Sequence, residues 1–70
     1  MAFTPSPPIK IKRAQGGFKI VDGGNRTLAY VYTSETEADA RHAGLLTKAE
    51  GEEVARVIAR ALTYLAGRPA

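Results

Sequence analysis

Apolar and polar residues alternate along the first half of the chain. Three short segments rich in apolar and β-branched residues, 9–14, 18–22 and 28–33, are separated by Gln15–Gly17 and by Gly23–Asn25. Alternation with a period of two is typical of a strand that buries one face. Glycine and asparagine accept the positive φ that tight hairpin turns require. The pattern therefore predicts a three-stranded antiparallel β-meander.

The period changes to that of a helix in the second half. Thr47 and Glu50 have the spacing of a capping box, in which each side chain bonds the other residue's backbone amide, so a helix is expected to begin there. A similar box at Ser34 and Glu37 predicts a short extra helical turn before it. The long C-terminal helix has one apolar stripe at three- and four-residue spacing, made of Val54, Val57, Ile58, Ala61, Leu62 and Leu65.

These elements predict a single α+β domain over residues 9–70, in which the β-meander packs on the one C-terminal helix. Three prolines and no apolar period in residues 1–8 indicate a flexible tail. A chain of 70 residues is near the lower size limit for independent folding, and it has no cysteine for a disulfide. Self-association is then the expected source of additional buried surface, with a homodimer as its simplest form.

The turns predict which residues lie opposite one another. A loop at Gly23–Asn25 places Ile20 opposite Leu28, and a turn at Gln15–Gly16 places Ile11 opposite Ile20. One face of the sheet is then the expected core, formed by Ile9, Ile11, Phe18, Ile20, Leu28, Tyr30 and Tyr32. The other is expected to be open, with Lys10, Lys12, Lys19, Val21, Thr27, Ala29 and Val31.

Positive charge is concentrated in the first half of the chain. The formal net charge is +3, and residues 1–33 carry five basic side chains against one acidic side chain. This asymmetry favours an anionic partner. Lysines on an edge strand also have a simpler role, because they prevent edge-to-edge aggregation. The candidate interaction face comprises the lysines and the apolar strip between them, Lys10, Lys12, Lys19, Val21, Ala29 and Val31.

The sequence lacks the residues that catalysis and metal binding would need. His42 is the only histidine, and a zinc site needs at least three protein ligands, so neither a metal nor a cofactor is expected. Asp22 is expected to cap its hairpin turn rather than to act as a base. Neither pair of adjacent glycines leads from a strand into a helix, as a phosphate-binding loop would. The sequence predicts a protein that is not an enzyme.

Nothing in the sequence indicates a membrane or an exported protein. No apolar run approaches the roughly 20 residues that span a bilayer. The first eight residues lack the apolar core and the leading positive charge of a signal peptide. A cytoplasmic location is therefore expected.

Four motifs resemble a group of short bacterial proteins that have no known activity. These motifs are Gly17–Asp22, Leu28–Tyr32, Leu46–Glu50 and Val54–Ala59, within roughly residues 17 to 65. The resemblance implies basic residues early in the helix, where this chain has Glu52 and Glu53. That departure argues against an anion-binding role for the helix.

Two functions are consistent with these patterns. The first is a small protein-interaction or self-associating module, which the apolar strip among the lysines favours. The alternative is a nucleic-acid-binding domain that uses the basic face of the sheet. The predicted fold resembles the ethylene-response-factor domain and the arm-binding domains of tyrosine recombinases, which place an exposed sheet in the major groove. A fold alone does not establish a function.

Overall fold

The computed structural model describes residues 3–36, 38, 41 and 44–67. Three antiparallel strands, β1 (Lys10–Ala14), β2 (Gly17–Val21) and β3 (Thr27–Tyr32), form an open sheet in the order β1-β2-β3. One C-terminal helix, α1 (Lys48–Ala66), packs on this sheet. The predicted α+β fold is confirmed. The predicted helical turn between Ser34 and Gly44 falls largely on residues outside the described ranges, as does His42.

The register between β1 and β2 is the predicted one, with Ile11 opposite Ile20. The register between β2 and β3 begins as predicted beside the turn, where Val21 lies opposite Thr27. It then shifts by one residue, so that Ile20 lies opposite Ala29. Leu28 is the extra residue on β3 and has no partner on β2. This is the arrangement of a β-bulge.

This shift exchanges the two faces of β3. The predicted assignment of Tyr30 and Tyr32 to the core, and of Ala29 and Val31 to the open face, is wrong. Val31 is only 6% exposed and belongs to the core, while Tyr32 is 66% exposed. The reason is that side chains alternate with a period of two, so one extra residue reverses every position beyond it. The core consists of Phe18, Ile20, Val31 and Ala55, with Ile9, Ile11, Ala29, Leu46, Ile58, Ala59 and Leu62 packed around them.

The start of α1 lies very close to the sheet. The predicted capping box is present, because the Thr47 hydroxyl accepts a bond from the Glu50 amide and the Glu50 carboxylate accepts one from the Thr47 amide. One turn later, Gly51 is buried against Thr33. A Cβ at Gly51 would lie 2.1 Å from the Thr33 Cγ2 atom. Glycine is thus required here by the close approach of helix and strand.

The apolar surface of α1 is wider than the sheet that covers it. The buried positions on the helix are Gly51 and Ala55, and Ile58, Ala59 and Leu62 pack beside them. Three members of the predicted core stripe, Val54, Val57 and Ala61, are exposed instead. The reason is geometric, because a sheet contacts only one side of a helix. The predicted apolar stripe extends around α1 beyond the side that the sheet contacts.

Residues 3–8, expected to belong to a flexible tail, lie against the turn between β2 and β3. Pro5 is buried, and the Ser6 carbonyl accepts a hydrogen bond from the Gly23 amide at 2.6 Å. The Phe3 ring lies 5.7 Å from the Arg26 guanidinium carbon. A Cβ at Gly23 would lie 2.2 Å from the Pro7 carbonyl oxygen. Residues 3–8 therefore lie beside the end of the sheet where β2 turns into β3.

Candidate functional site

The three lysines of the candidate interaction face remain together on the side of the sheet that faces away from α1. Lys12 lies directly opposite Lys19 across the β1–β2 pair, and Lys10 follows on the same side of β1. Lys10 and Lys12 are exposed, and Lys19 is half-buried between its neighbours. Like charges directly opposite one another repel, so this arrangement costs stability unless an anion is bound.

The three apolar members of the candidate interaction face do not join the lysines on an exposed surface. Ala29 and Val31 pack towards α1, as the register shift requires. Val21 lies beside Lys10 in the sheet but is only 2% exposed. The predicted apolar strip is therefore not available to a partner.

Two tyrosines take the place of that strip. Tyr30 lies directly opposite Lys19, and Tyr32 follows it on the same side of β3. Their ring centroids are 4.6 Å apart with the planes inclined by 37°. The Tyr30 hydroxyl donates a hydrogen bond to the Gln15 carbonyl, which holds that ring over the sheet. We define the open face as Lys10, Lys12, Lys19, Tyr30 and Tyr32.

The lysines of the open face take part in none of the ion pairs found among residues 3–36, 38, 41 and 44–67. Within the described part of the chain, the ion pairs join Asp22 to Arg26, Glu35 to Lys48 and Glu52 to Arg56. The Lys12 ammonium donates to the Asn25 amide oxygen, at 3.3 Å. The open face thus combines uncompensated positive charge with aromatic rings.

The sequence favoured the core over a base-stacking surface for Tyr30 and Tyr32 because two patterns overlap in β3. Leu28, Tyr30 and Tyr32 alternate with Ala29 and Val31, and both sets are apolar enough to form a core. Hydrophobicity alone cannot decide between them. The available signal was the tyrosine hydroxyl, which needs water or a partner when a ring is buried.

The turn beside the open face is held by Asp22, as predicted. One carboxylate oxygen accepts hydrogen bonds from the Gly24 and Arg26 amides, each at 2.9 Å. The other accepts from the Arg26 side chain at 3.1 Å. The bond from the Arg26 amide is the largest cause that holds the Asp22 pKa below its ordinary value, with the Arg26 side chain also lowering it against the opposing effect of burial.

A cavity of about 360 Å³ lies on the helix side of the sheet, between the β1–β2 turn and the start of α1. Arg13, Phe18 and Thr33 contribute to its wall, together with Glu35, Lys48 and Glu52. The last three are engaged in ion pairs.

The described residues contain neither a metal-ligand cluster nor a membrane-spanning helix. No group of three or more histidine, cysteine, aspartate or glutamate side chains in this part of the chain could hold a metal ion. Likewise, none of the helices in the described ranges has the length and apolar character needed to cross a membrane.

Comparison of the chain with protein families, with curated proteins and with solved structures found no match.

Proposed function

We propose that this protein is a small, non-enzymatic binding module whose open face binds single-stranded nucleic acid. The observation that carries the proposal is the pair of neighbouring tyrosine rings beside lysines on the uncovered side of the sheet. Proteins that bind single strands without a fixed sequence combine these two features, a basic surface for the backbone and aromatic rings for the bases. Such a ligand implies a cytoplasmic protein.

Stacking is the first component of the proposed interaction. Tyr32 is 66% exposed, so a base can reach one side of its ring without displacing protein atoms. Tyr30 is held by its bond to Gln15, which reduces the entropy that the ring loses on binding. Each base stacked on an aromatic side chain contributes about 1–3 kcal/mol.

Charge is the second component. Lys12 and Lys19 are neighbours in the sheet, and a phosphate between them relieves their mutual repulsion. Each lysine that contacts a phosphate releases a counterion, which contributes about −0.7 to the slope of log affinity against log salt for single strands. Three lysines thus account for a slope near −2.

Stacking also favours single strands over a duplex. Bases in a duplex are already stacked on one another, so their faces are not available to the tyrosines. Self-association through the open face has little support, because Val21 and Val31 are buried and Ala29 packs towards α1. The proposal is therefore a single-strand form of the alternative that the sequence suggested, nucleic-acid binding through the basic face of the sheet.

The test measures binding of a fluorescein-labelled oligothymidylate and of a matched duplex by anisotropy between 20 and 200 mM salt, roughly the range over which phosphate contacts are resolved. We expect the single strand to bind more tightly. Tyr32→Ala should weaken binding about 5- to 100-fold, whereas Tyr32→Phe, which keeps the ring, should bind nearly as the wild type does.

Changes of charge complete the test. Replacing Lys10, Lys12 and Lys19 by glutamine should flatten the salt slope by about two units. Lys48→Gln is the matched control, since Lys48 lies on α1 and pairs with Glu35. The proposal is wrong if no binding occurs at low salt, or if Tyr32→Ala and Lys48→Gln have the same effect.

A further inference from the structure

The exposed side of α1 carries an apolar stripe that nothing in the described chain covers. Val54, Val57, Ala61 and Tyr64 recur at three- and four-residue spacing, so they lie along one line of the helix. Val54 is 37% exposed, Val57 57% and Tyr64 71%. A helix that faces water on this side would ordinarily carry polar residues there. We name these four residues the helix stripe.

The charged residues beside the helix stripe can form ion pairs with the same residues of a second copy. Glu53 and Arg60 are seven residues apart and flank the helix stripe on the same side. Neither belongs to an ion pair within the described residues. In an antiparallel pair of such helices, Glu53 of each copy meets Arg60 of the other, twice by symmetry. In a parallel pair the same charges would face Ile58 and Leu65.

We propose that the first half of the helix stripe, Val54 and Val57, is the centre of an antiparallel homodimer interface, with Val54 of each copy packed against Val57 of the other. The partner is a second copy of the chain, because two-fold symmetry brings Glu53 of each copy to Arg60 of the other. The two open faces then lie on the outer sides of the dimer, since the sheet covers the opposite side of α1. This interface does not depend on nucleic-acid binding.

Sedimentation velocity and light scattering on the full chain test the proposal, with circular dichroism to confirm folding. The wild type should have twice the mass of the 7.5 kDa chain at about 100 μM, a concentration above the micromolar affinities of modest interfaces. Val57→Glu should raise the dissociation constant at least roughly tenfold, because it places a charge in an apolar contact. The variant should remain folded, since Val57 is exposed in the monomer.

Charge reversal tests the orientation. Glu53→Arg should weaken the dimer about three- to tenfold, and adding Arg60→Glu to it should restore wild-type affinity. The matched control exchanges Glu52 and Arg56, which pair with each other on the far side of the helix, and should leave the dimer unchanged. A monomeric wild type, a dimer that Val57→Glu does not weaken, or a double reversal that fails to restore affinity would overturn the proposal.

Discussion

The two faces of strand β3 differ in the size of their side chains, although both are apolar. Ala29 and Val31 face α1, whereas Tyr30 and Tyr32 lie on the open side. The helix side has little space, because Gly51 brings the helix backbone to within contact of Thr33. Phe18, which lies opposite Val31 on β2, already packs beside Gly51 and leaves little room for a second ring on β3. The separation between helix and sheet, rather than hydrophobicity, distinguishes the two faces.

The largest expected effect comes from placing a charge on each face in turn. Val31→Glu should destabilise the domain by on the order of 4 kcal/mol, a large part of the roughly 5–15 kcal/mol typical of domains, because an unpaired carboxylate would replace a core side chain. Tyr32→Glu should change stability by less than about 1 kcal/mol, since that side chain is in water. Thermal and urea unfolding followed by circular dichroism measure both. Equal effects would mean that the faces are wrongly assigned.

The close approach of α1 can be tested at Gly51. Glycine to alanine at an exposed helix position stabilises by about 1 kcal/mol, but Gly51→Ala should destabilise by about 1–3 kcal/mol because its Cβ meets the Thr33 methyl group. Thr33→Ser removes that methyl group. The double variant should therefore recover part of the loss in urea unfolding. A stabilising Gly51→Ala would show that the helix and the sheet are farther apart.

The turn that borders the open face should respond to pH. The pKa of Asp22 is lowered in the folded protein, so the ionised carboxylate contributes stability above its ordinary value of 3.8. This contribution is lost as the pH falls through the folded pKa. Asp22→Asn should therefore be less stable than the wild type at pH 7, and the difference should narrow below about pH 4. A difference that stays constant down to pH 2 would contradict the assigned role.

The smallest effect concerns repulsion on the open face. Lys19→Glu places an acidic side chain opposite Lys12 and should stabilise the fold by about 0.2–1 kcal/mol at low salt. The gain should shrink in high salt, because exposed charges are screened. The same change should weaken nucleic-acid binding, because it removes one phosphate contact and adds a repelling charge. Loss of stability would show that the two lysines do not face each other.

Much of this fold was accessible from the sequence because its signals are local. The glycine-rich turns predicted the β1–β2 register, and Asp22 predicted the structure of the second turn. The spacing of Thr47 and Glu50 located the start of α1. Each of these features depends on residues within a few positions of one another, so a short stretch of sequence contains the physical cause.

The composition of the candidate site was decided by tertiary packing. The bulge at Leu28 exchanged the two faces of β3, and the sequence allowed either face to be buried. The position of α1, whose start lies close to Thr33, places the smaller side chains of β3 in the core. The same packing leaves Tyr32 and Val57 exposed. Local patterns determine which elements form, while the distance between elements determines which side chains remain available for binding.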